Sequence, residues 1–186
     1  SGSVIHGMHH EQDMRRMGAL RKLMPVTAIT FIIGWLAIAG VPPFAGFWSK
    51  DEILLYVYAN NRFLYVVGLV TALLTAYYMT RQVIMVFYGK AKWNDHASDH
   101  GAHGDFMPHE SPKIMLFPLV VLAFLSVVGG AMQLPFSKNL HFLEHWLAPI
   151  TEESEAHIGE TWAYHNKYIL LGVAVVVATV GILAAF

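Results

Sequence analysis

The amino-acid sequence predicts an all-α membrane protein, a polytopic bundle of transmembrane helices in which one helix is discontinuous. Of its 186 residues, 55% are apolar and only 13% are charged, and this balance does not fit a soluble domain with a charged surface. Three uninterrupted apolar runs reach the roughly 20 residues that an α-helix needs to cross a hydrocarbon core about 30 Å thick. A fourth apolar stretch is too long for one crossing and is interrupted by glycine and proline.

The alternation of apolar and polar stretches sets the predicted order of segments. We expect the end of a transmembrane helix at 1–8, a loop at 9–22, a broken helix at 23–59, a helix at 63–88, a histidine-rich loop at 89–113, a helix at 114–133, a loop at 134–167 that contains an interfacial helix at 136–150, and a last helix at 168–186. The interfacial helix is predicted from apolar residues at helical spacing. Because the last helix ends without a polar flank, we expect a fragment of a longer protein.

Basic residues predict the side of the membrane that each loop faces, because loops rich in lysine and arginine stay on the cytoplasmic side. The 9–22 and 89–113 loops are basic, whereas the 134–166 stretch carries Lys138 against five glutamates. The first two loops are therefore predicted to be cytoplasmic, and the 60–62 turn and the acidic loop to lie outside. The net charge of −1 identifies no partner, and the absence of cysteine excludes disulfides and thiolate metal sites.

The break in the 23–59 helix is predicted by the run GVPPFAG at 40–46. Proline has no amide hydrogen and clashes with the preceding turn, so Pro42 and Pro43 free carbonyls near residues 38–40. Irregular backbone at membrane depth is tolerated only where it is buried in protein or faces a wet cavity. The break therefore predicts a hydrated site.

Lys50 and Asp51, one helical turn beyond the break, are the candidate proton-relay residues. An ammonium at membrane depth costs about 2.5–3.5 kcal/mol and needs compensation. In a semi-dry site with a movable acidic partner, a lysine can exchange protons near neutral pH. The alternative is a surface cap, with Ser49 as the N-cap of a helix, Glu52 three residues on and Lys50 extended outward. The pattern alone leaves both readings open.

Histidines and a polar stripe supply further candidates. His6 is either a buried relay member or a structural histidine at a helix end, and the pattern favours the structural role. The loop histidines 96, 100, 103 and 109 could bind zinc, but their spacing matches no strict motif, so a solvated loop is favoured and no metal site or bound cofactor is predicted. The stripe on the 63–88 helix predicts hydrogen bonds between helices, with Gly68 allowing close approach; its members are Thr71, Thr75, Tyr78 and Gln82.

Several motifs, in order along the chain, resemble one family. They are GSVIH at 2–6, HEQDMRRMGAL at 10–20, PPFAGFWSKDEIL at 42–54, YYMTR at 77–81 and FYGK at 87–90. They are similar to the terminal antiporter-like subunit (subunit L) of proton-pumping NADH:quinone oxidoreductase, respiratory complex I, and the resemblance is strong over roughly residues 1–92. One departure is Ala19, where the family commonly has a second glycine.

The resemblance implies two inverted repeats, each with a broken helix, and it places Lys50 and Asp51 in the outer half of a proton path. It also implies that other membrane subunits of complex I, the lipid bilayer and protons are the partners, and that other subunits hold NADH, FMN, iron–sulfur clusters and quinone. We expect a bacterial plasma membrane in preference to the mitochondrial inner membrane, and no nucleic-acid partner. Two alternatives remain: a subunit of a multisubunit sodium/proton antiporter, and a structural membrane module.

Overall fold

The computed structural model describes residues 2–93, 107–131 and 162–186, and all regular secondary structure in these residues is helical. The helices are α1 (Gly2–Gly7), α2 (Pro25–Ala39), α3 (Ala45–Asn60), α4 (Arg62–Val83), α5 (Lys113–Ala131), α6 (Trp162–His165) and α7 (Lys167–Leu183). Short 3₁₀ turns at Met14–Arg16 and Leu20–Lys22 follow α1, and a π-helical turn at Ile84–Tyr88 continues α4. The predicted all-α class is confirmed for this part of the chain.

The predicted discontinuous helix is present as two helices, α2 and α3. They contain 15 and 16 residues, so neither reaches the roughly 20 residues of a full crossing. Phe44 joins the second helix in an extended conformation, with φ −68° and ψ 155°. By length and composition, Arg62–Tyr88 and Lys113–Gly130 are the two described helices that could cross a membrane, while α2 and α7 are apolar but shorter.

Two compact units make up the chain. The first comprises residues 1–35, 78–125 and 186, and the second comprises residues 36–77 and 126–185. The interfacial helix predicted at 136–150 and the loop histidines 96, 100 and 103 lie outside the described residues, so these remain predictions.

The first unit is built on an apolar core that joins α1, the following turns, α2 and the end of α4. Its buried members are Val4, Met8, Met17, Leu20, Ala28, Val83, Val86 and Phe87. The rings of Phe31 and Phe87 pack with their centres 5.3 Å apart. Thr80 is fully buried and accepts a hydrogen bond from Trp35 Nε1 at 3.0 Å, which satisfies a polar group that would be costly to bury alone.

Buried hydroxyl groups tie together three segments of this unit that are distant in sequence. Ser3 Oγ lies 2.8 Å from Thr27 Oγ1 and donates to Ser111 Oγ at 2.6 Å. All three side chains are buried. The hydrogen bonds hold α1, the first turn of α2 and the segment that precedes α5 at one point.

In the second unit, α3 and α4 form an antiparallel pair around the turn at Asn61. Asn61 Oδ1 accepts hydrogen bonds from the amides of Phe63 and Leu64 at 2.9 and 3.3 Å, and so caps the start of α4. Leu54 of α3 packs onto Gly68 of α4 so closely that a Cβ at Gly68 would lie 2.8 Å from Leu54 Cδ2. The missing side chain lets the two helices approach.

The third helix of this unit, α7, packs through small residues. A Cβ on Gly181 would lie 2.7 Å from the Leu73 carbonyl oxygen and 2.9 Å from Ala76 Cβ. Ala178 is also buried. Small residues at a helix contact allow backbones to come close, as is common between membrane helices.

The prediction of interhelical hydrogen bonds from the polar stripe is wrong for two of its members. Thr71 Oγ1 donates to the carbonyl of Val67 at 2.8 Å, and Thr75 Oγ1 donates to the carbonyl of Thr71 at 2.7 Å. Both hydroxyls are therefore satisfied within their own helix, as threonines in helices often are.

Candidate functional site

The site forms where the backbone of the broken helix leaves a carbonyl without its helical donor. In an α-helix, the carbonyl of Ile38 would accept from the N–H of residue 42, but residue 42 is proline and has none. The chain turns away here through Gly40, whose φ is +78°, a value that glycine adopts readily. The Ile38 carbonyl is thus left open at the end of α2.

Lys50 supplies the missing donor. Its Nζ donates to the Ile38 carbonyl oxygen at 3.5 Å. The carboxyl end of a helix carries partial negative charge, and a cation there is stabilised by typically 0.3–1 kcal/mol, and by up to about 2 kcal/mol when partly buried. Since Lys50 is half-buried, this interaction offsets part of the cost of placing an ammonium in the membrane.

Glycines at close contacts bring Lys50 to this carbonyl. A Cβ at Gly46 would collide with the carbonyl of Ala37, so the first turn of α3 lies directly against the last turn of α2. Lys50, one turn later, passes Gly40, where a Cβ would lie 3.4 Å from Lys50 Cδ. On the other side, a Cβ at Gly130 of α5 would collide with the carbonyl of Pro43.

Lys50 and Asp51 line one cavity, together with side chains from α3, α4 and α7. The other lining residues are Gly40, Phe47, Leu54, Ala72, Ala174 and Ala178. The cavity holds about 280 Å³ of empty space, part of it open to the surroundings. One water molecule occupies about 30 Å³ in the liquid, so water fits beside the ammonium and the carboxylate. The three alanines leave this room because their side chains are short.

The structure brings the predicted relay pair together, but not as an ion pair. Within the described residues, the ammonium of Lys50 is hydrogen-bonded to the Ile38 carbonyl, and Asp51 is not its ion-pair partner. Asp51 is half-buried and lines the same cavity. The two groups therefore communicate through the cavity and the water that it admits.

The alternative in which Ser49 caps a helix is wrong. The helix begins at Ala45, and Phe44 occupies the N-cap position, because the proline pair ends α2 and α3 can start as soon as the chain has turned. Ser49 lies inside α3, where its hydroxyl donates back to the Ala45 carbonyl at 3.4 Å. Lys50 accordingly reaches toward the end of α2.

His6 is not among the cavity residues. It lies at the end of α1 in the first unit, and its side chain is exposed. Its ring is 5.9 Å from the ring of His109, which is in turn 5.6 Å from that of His9. A relay role for His6 stays a prediction.

Sequence reasoning missed several members of the site. Ile38 could have been found, since it lies four residues before Pro42, but the alanines of α4 and α7 carry no signal in the sequence. Two buried polar atoms, Trp48 Nε1 and the Tyr65 hydroxyl, have no hydrogen-bond partner among the described residues. They too could not be read from a pattern.

Two family descriptions match the chain and together cover it. Residues 69–186 match the family described as the transmembrane segments at the C-terminus of an NADH-dehydrogenase subunit of complex I. Residues 1–75 match the family described as NADH:quinone oxidoreductase/Mrp antiporter, transmembrane. The chain belongs to the antiporter-like subunits of complex I. The resemblance expected from the motifs around Lys50 is thereby confirmed.

Similar proteins carry the same description. NAD(P)H-quinone oxidoreductase chain 5 of Synechocystis is 39% identical over 222 residues, which cover 100% of this chain and 32% of the relative. NADH-quinone oxidoreductase subunit L of Mycobacterium tuberculosis is 41% identical over 192 residues, covering 100% and 27%. Subunit L of Neisseria meningitidis serogroup B is 44% identical over 143 residues, covering 70% and 21%. The chain spans between about a fifth and a third of the length of these relatives.

Proposed function

We propose that this chain is the part of a proton-translocating membrane subunit of NADH:quinone oxidoreductase that carries the lysine of the proton path. The observation that supports the proposal most directly is the hydrogen bond from Lys50 Nζ to the open carbonyl of Ile38, beside a cavity that admits water. Broken helices at membrane depth form ion sites in transport proteins for this reason. The relatives named subunit L and chain 5 assign the same kind of complex.

In the proposed cycle, the ammonium of Lys50 rests on the Ile38 carbonyl until its field changes. It then gives one proton to cavity water and from there to the carboxylate of Asp51, which leaves a neutral amine and a neutral carboxyl. A second proton, arriving from the opposite side, restores the ammonium while Asp51 releases its own proton. One positive charge moves per cycle, and the chain itself undergoes no redox change.

The driving force is proposed to come from other subunits. The names of the relatives describe quinone oxidoreductases that use NADH or NADPH. We propose that NADH, FMN, iron–sulfur clusters and quinone are bound by partner subunits, and that this chain contributes a proton path within the lipid bilayer. We propose a bacterial plasma membrane as its location. The assignment of Lys50 and Asp51 to the outer half of the path follows the family resemblance.

The test is made in the assembled full-length complex in sealed vesicles, with Lys50→Met, Lys50→Arg and the control Lys113→Met. Lys113 is exposed at the start of α5. Arginine keeps the charge but does not release its proton near neutral pH. Both Lys50 variants should assemble, and both should lose proton pumping coupled to NADH oxidation, while the control pumps normally. Normal pumping by Lys50→Met would favour a structural membrane module.

A sodium/proton antiporter subunit is the second candidate, because the family matched by residues 1–75 includes Mrp antiporters. The two candidates differ in what drives ion movement. If NADH oxidation acidifies one side of the vesicle without a sodium gradient, the complex I function holds. If transport needs sodium and an imposed membrane potential but not NADH, the antiporter function holds.

A further inference from the structure

The Tyr65 side chain poses a question that the proposed path does not answer. It is only 7% exposed, and its hydroxyl has no hydrogen-bond partner among the described residues. Buried hydroxyls are nearly always hydrogen-bonded, to protein or to ordered water. A tyrosine hydroxyl can donate one hydrogen bond while it accepts another, so it is suited to stand in a chain of proton carriers.

The position of Tyr65 relates it to the Lys50 cavity through the antiparallel pair of α3 and α4. Leu54 both lines the cavity and forms a buried cluster with Tyr65 and Leu170. The thickness of one leucine side chain therefore separates the cavity from the tyrosine. Asp51 is near enough for its charge to act on the Tyr65 hydroxyl.

Beyond Tyr65, the molecule becomes polar toward the turn between α3 and α4. The ring of Tyr58 lies edge-on to that of Tyr65, with their centres 5.0 Å apart. The guanidinium of Arg62 is 5.7 Å from the centre of the Tyr58 ring. Asn60 and Asn61 complete the turn. Tyr65 thus lies between the cavity that holds Asp51 and an exposed polar end of the helix pair.

We propose that the Tyr65 hydroxyl is the proton carrier that follows Asp51, on the side of the 60–62 turn, and that it is joined to the cavity by buried water when Leu54 changes rotamer. This proposal rests on the proposed function of the chain. The Asp51 carboxyl gives its proton to the intervening water as that water passes one to the phenol oxygen. The hydroxyl releases its original proton to water on the far side, so that Tyr65 is left neutral.

The variant Tyr65→Phe removes the hydroxyl and keeps the ring that packs against Tyr58 and Leu54. The matched control is Tyr78→Phe, because the Tyr78 side chain is 51% exposed on the same helix. Both are introduced into the full-length complex alongside Lys50→Met. Coupled NADH oxidation, protons pumped per NADH and the solvent deuterium isotope effect on coupled turnover are measured in sealed vesicles.

We expect Tyr65→Phe to assemble normally and to slow coupled turnover by at least about 10-fold, the lower end of what one proton-transfer group contributes reduced for partial replacement by water. The isotope effect should rise, because proton exit becomes limiting, and Tyr78→Phe should behave as the unmodified complex. If Tyr65→Phe pumps normally while Lys50→Met does not, Tyr65 is a packing residue and the proposed function stands. If both pump normally, the proposed function fails as well.

Discussion

The carboxylate of Glu110 accepts a hydrogen bond from the backbone N–H of Val26, with 2.9 Å between Oε2 and the amide nitrogen. The same carboxylate accepts from the Thr27 hydroxyl through its other oxygen. The free amides at the start of α2 are thus capped by a side chain 84 residues later in the chain. An anionic group at a helix N-terminus satisfies open donors and complements the helix dipole.

Replacing Glu110 by Ala is expected to loosen the first turn of α2. The loss of a cap costs about 0.5–2 kcal/mol, which corresponds to roughly 2–30-fold faster amide hydrogen exchange if the turn opens locally. The exchange of peptides that cover residues 24–30 is measured by mass spectrometry in the assembled complex. Exchange should be faster in Glu110→Ala than in the conservative Glu110→Gln, and equal rates in all three proteins would show that Glu110 does not cap α2.

Adjacent glycines of α5 provide a matched test of the packing around the break. A Cβ at Gly130 would meet the backbone of Pro43 and, at 2.7 Å, the amide nitrogen of Ala45. Backbone atoms cannot move aside as a flexible side chain can, so Gly130→Ala should cost at least the 1–3 kcal/mol typical of overpacking. A Cβ at Gly129 would make an ordinary contact, 3.5 Å from Ala45 Cβ.

We therefore expect Gly130→Ala to reduce proton pumping or the amount of assembled subunit, while Gly129→Ala leaves both near normal. Quantitative immunoblots of the purified complex and vesicle acidification measure the two quantities. Equal behaviour of the two variants would mean that α5 does not pack against the break in this way.

The turn at residues 18 and 19 is strained where the chain has alanine. Ala19 has φ +54°, in the left-handed region, which costs a non-glycine residue about 1–2 kcal/mol. Ala19→Gly should therefore stabilise the turn by about 1 kcal/mol and slow its local hydrogen exchange by about 5-fold. Gly18→Ala should do the reverse, since Gly18 has φ +132° and a Cβ there would collide with the Lys90 carbonyl. Faster exchange in Ala19→Gly would contradict the geometry.

The 9–22 loop is expected to respond to acid through Glu11. Its Oε1 accepts from the backbone amides of Asp13 and Gln12, both at 2.9 Å, and Oε2 lies 3.5 Å from Arg16 Nη1. The hydrogen bond from the Asp13 amide, with further help from Gln12 and Arg16, holds the pKa of Glu11 below its ordinary value of 4.5. A lowered pKa in the folded loop means that this stabilisation is complete above about pH 4.5 and is lost as the pH falls through the folded value.

The test of this acid response is the hydrogen exchange of the Asp13 amide between pH 3 and pH 6, corrected for the intrinsic pH dependence of exchange. Protection should fall at the acid end in the unmodified protein. Glu11→Gln should show no such step, because its side chain does not titrate. A step of equal size in both proteins would assign it to another group.

The sequence by itself determined the class of protein and the position of the break. Long apolar runs can be stable only as helices in lipid, and Pro42 and Pro43 remove donors wherever they stand. The short-range consequences of these residues could therefore be predicted, as could the candidate status of Lys50. The family was recognisable because its motifs keep residue type and order.

Only the tertiary structure decided what each polar group touches. The Ile38 carbonyl as the partner of Lys50, the remote cap that Glu110 provides and the unpartnered hydroxyl of Tyr65 depend on how the helices pack. Packing is set by the absence of side chains at positions such as Gly46, and by alanines such as Ala174 that leave space for water. These residues are indistinguishable from other small residues in a membrane sequence, because their effect lies in what approaches them from another helix.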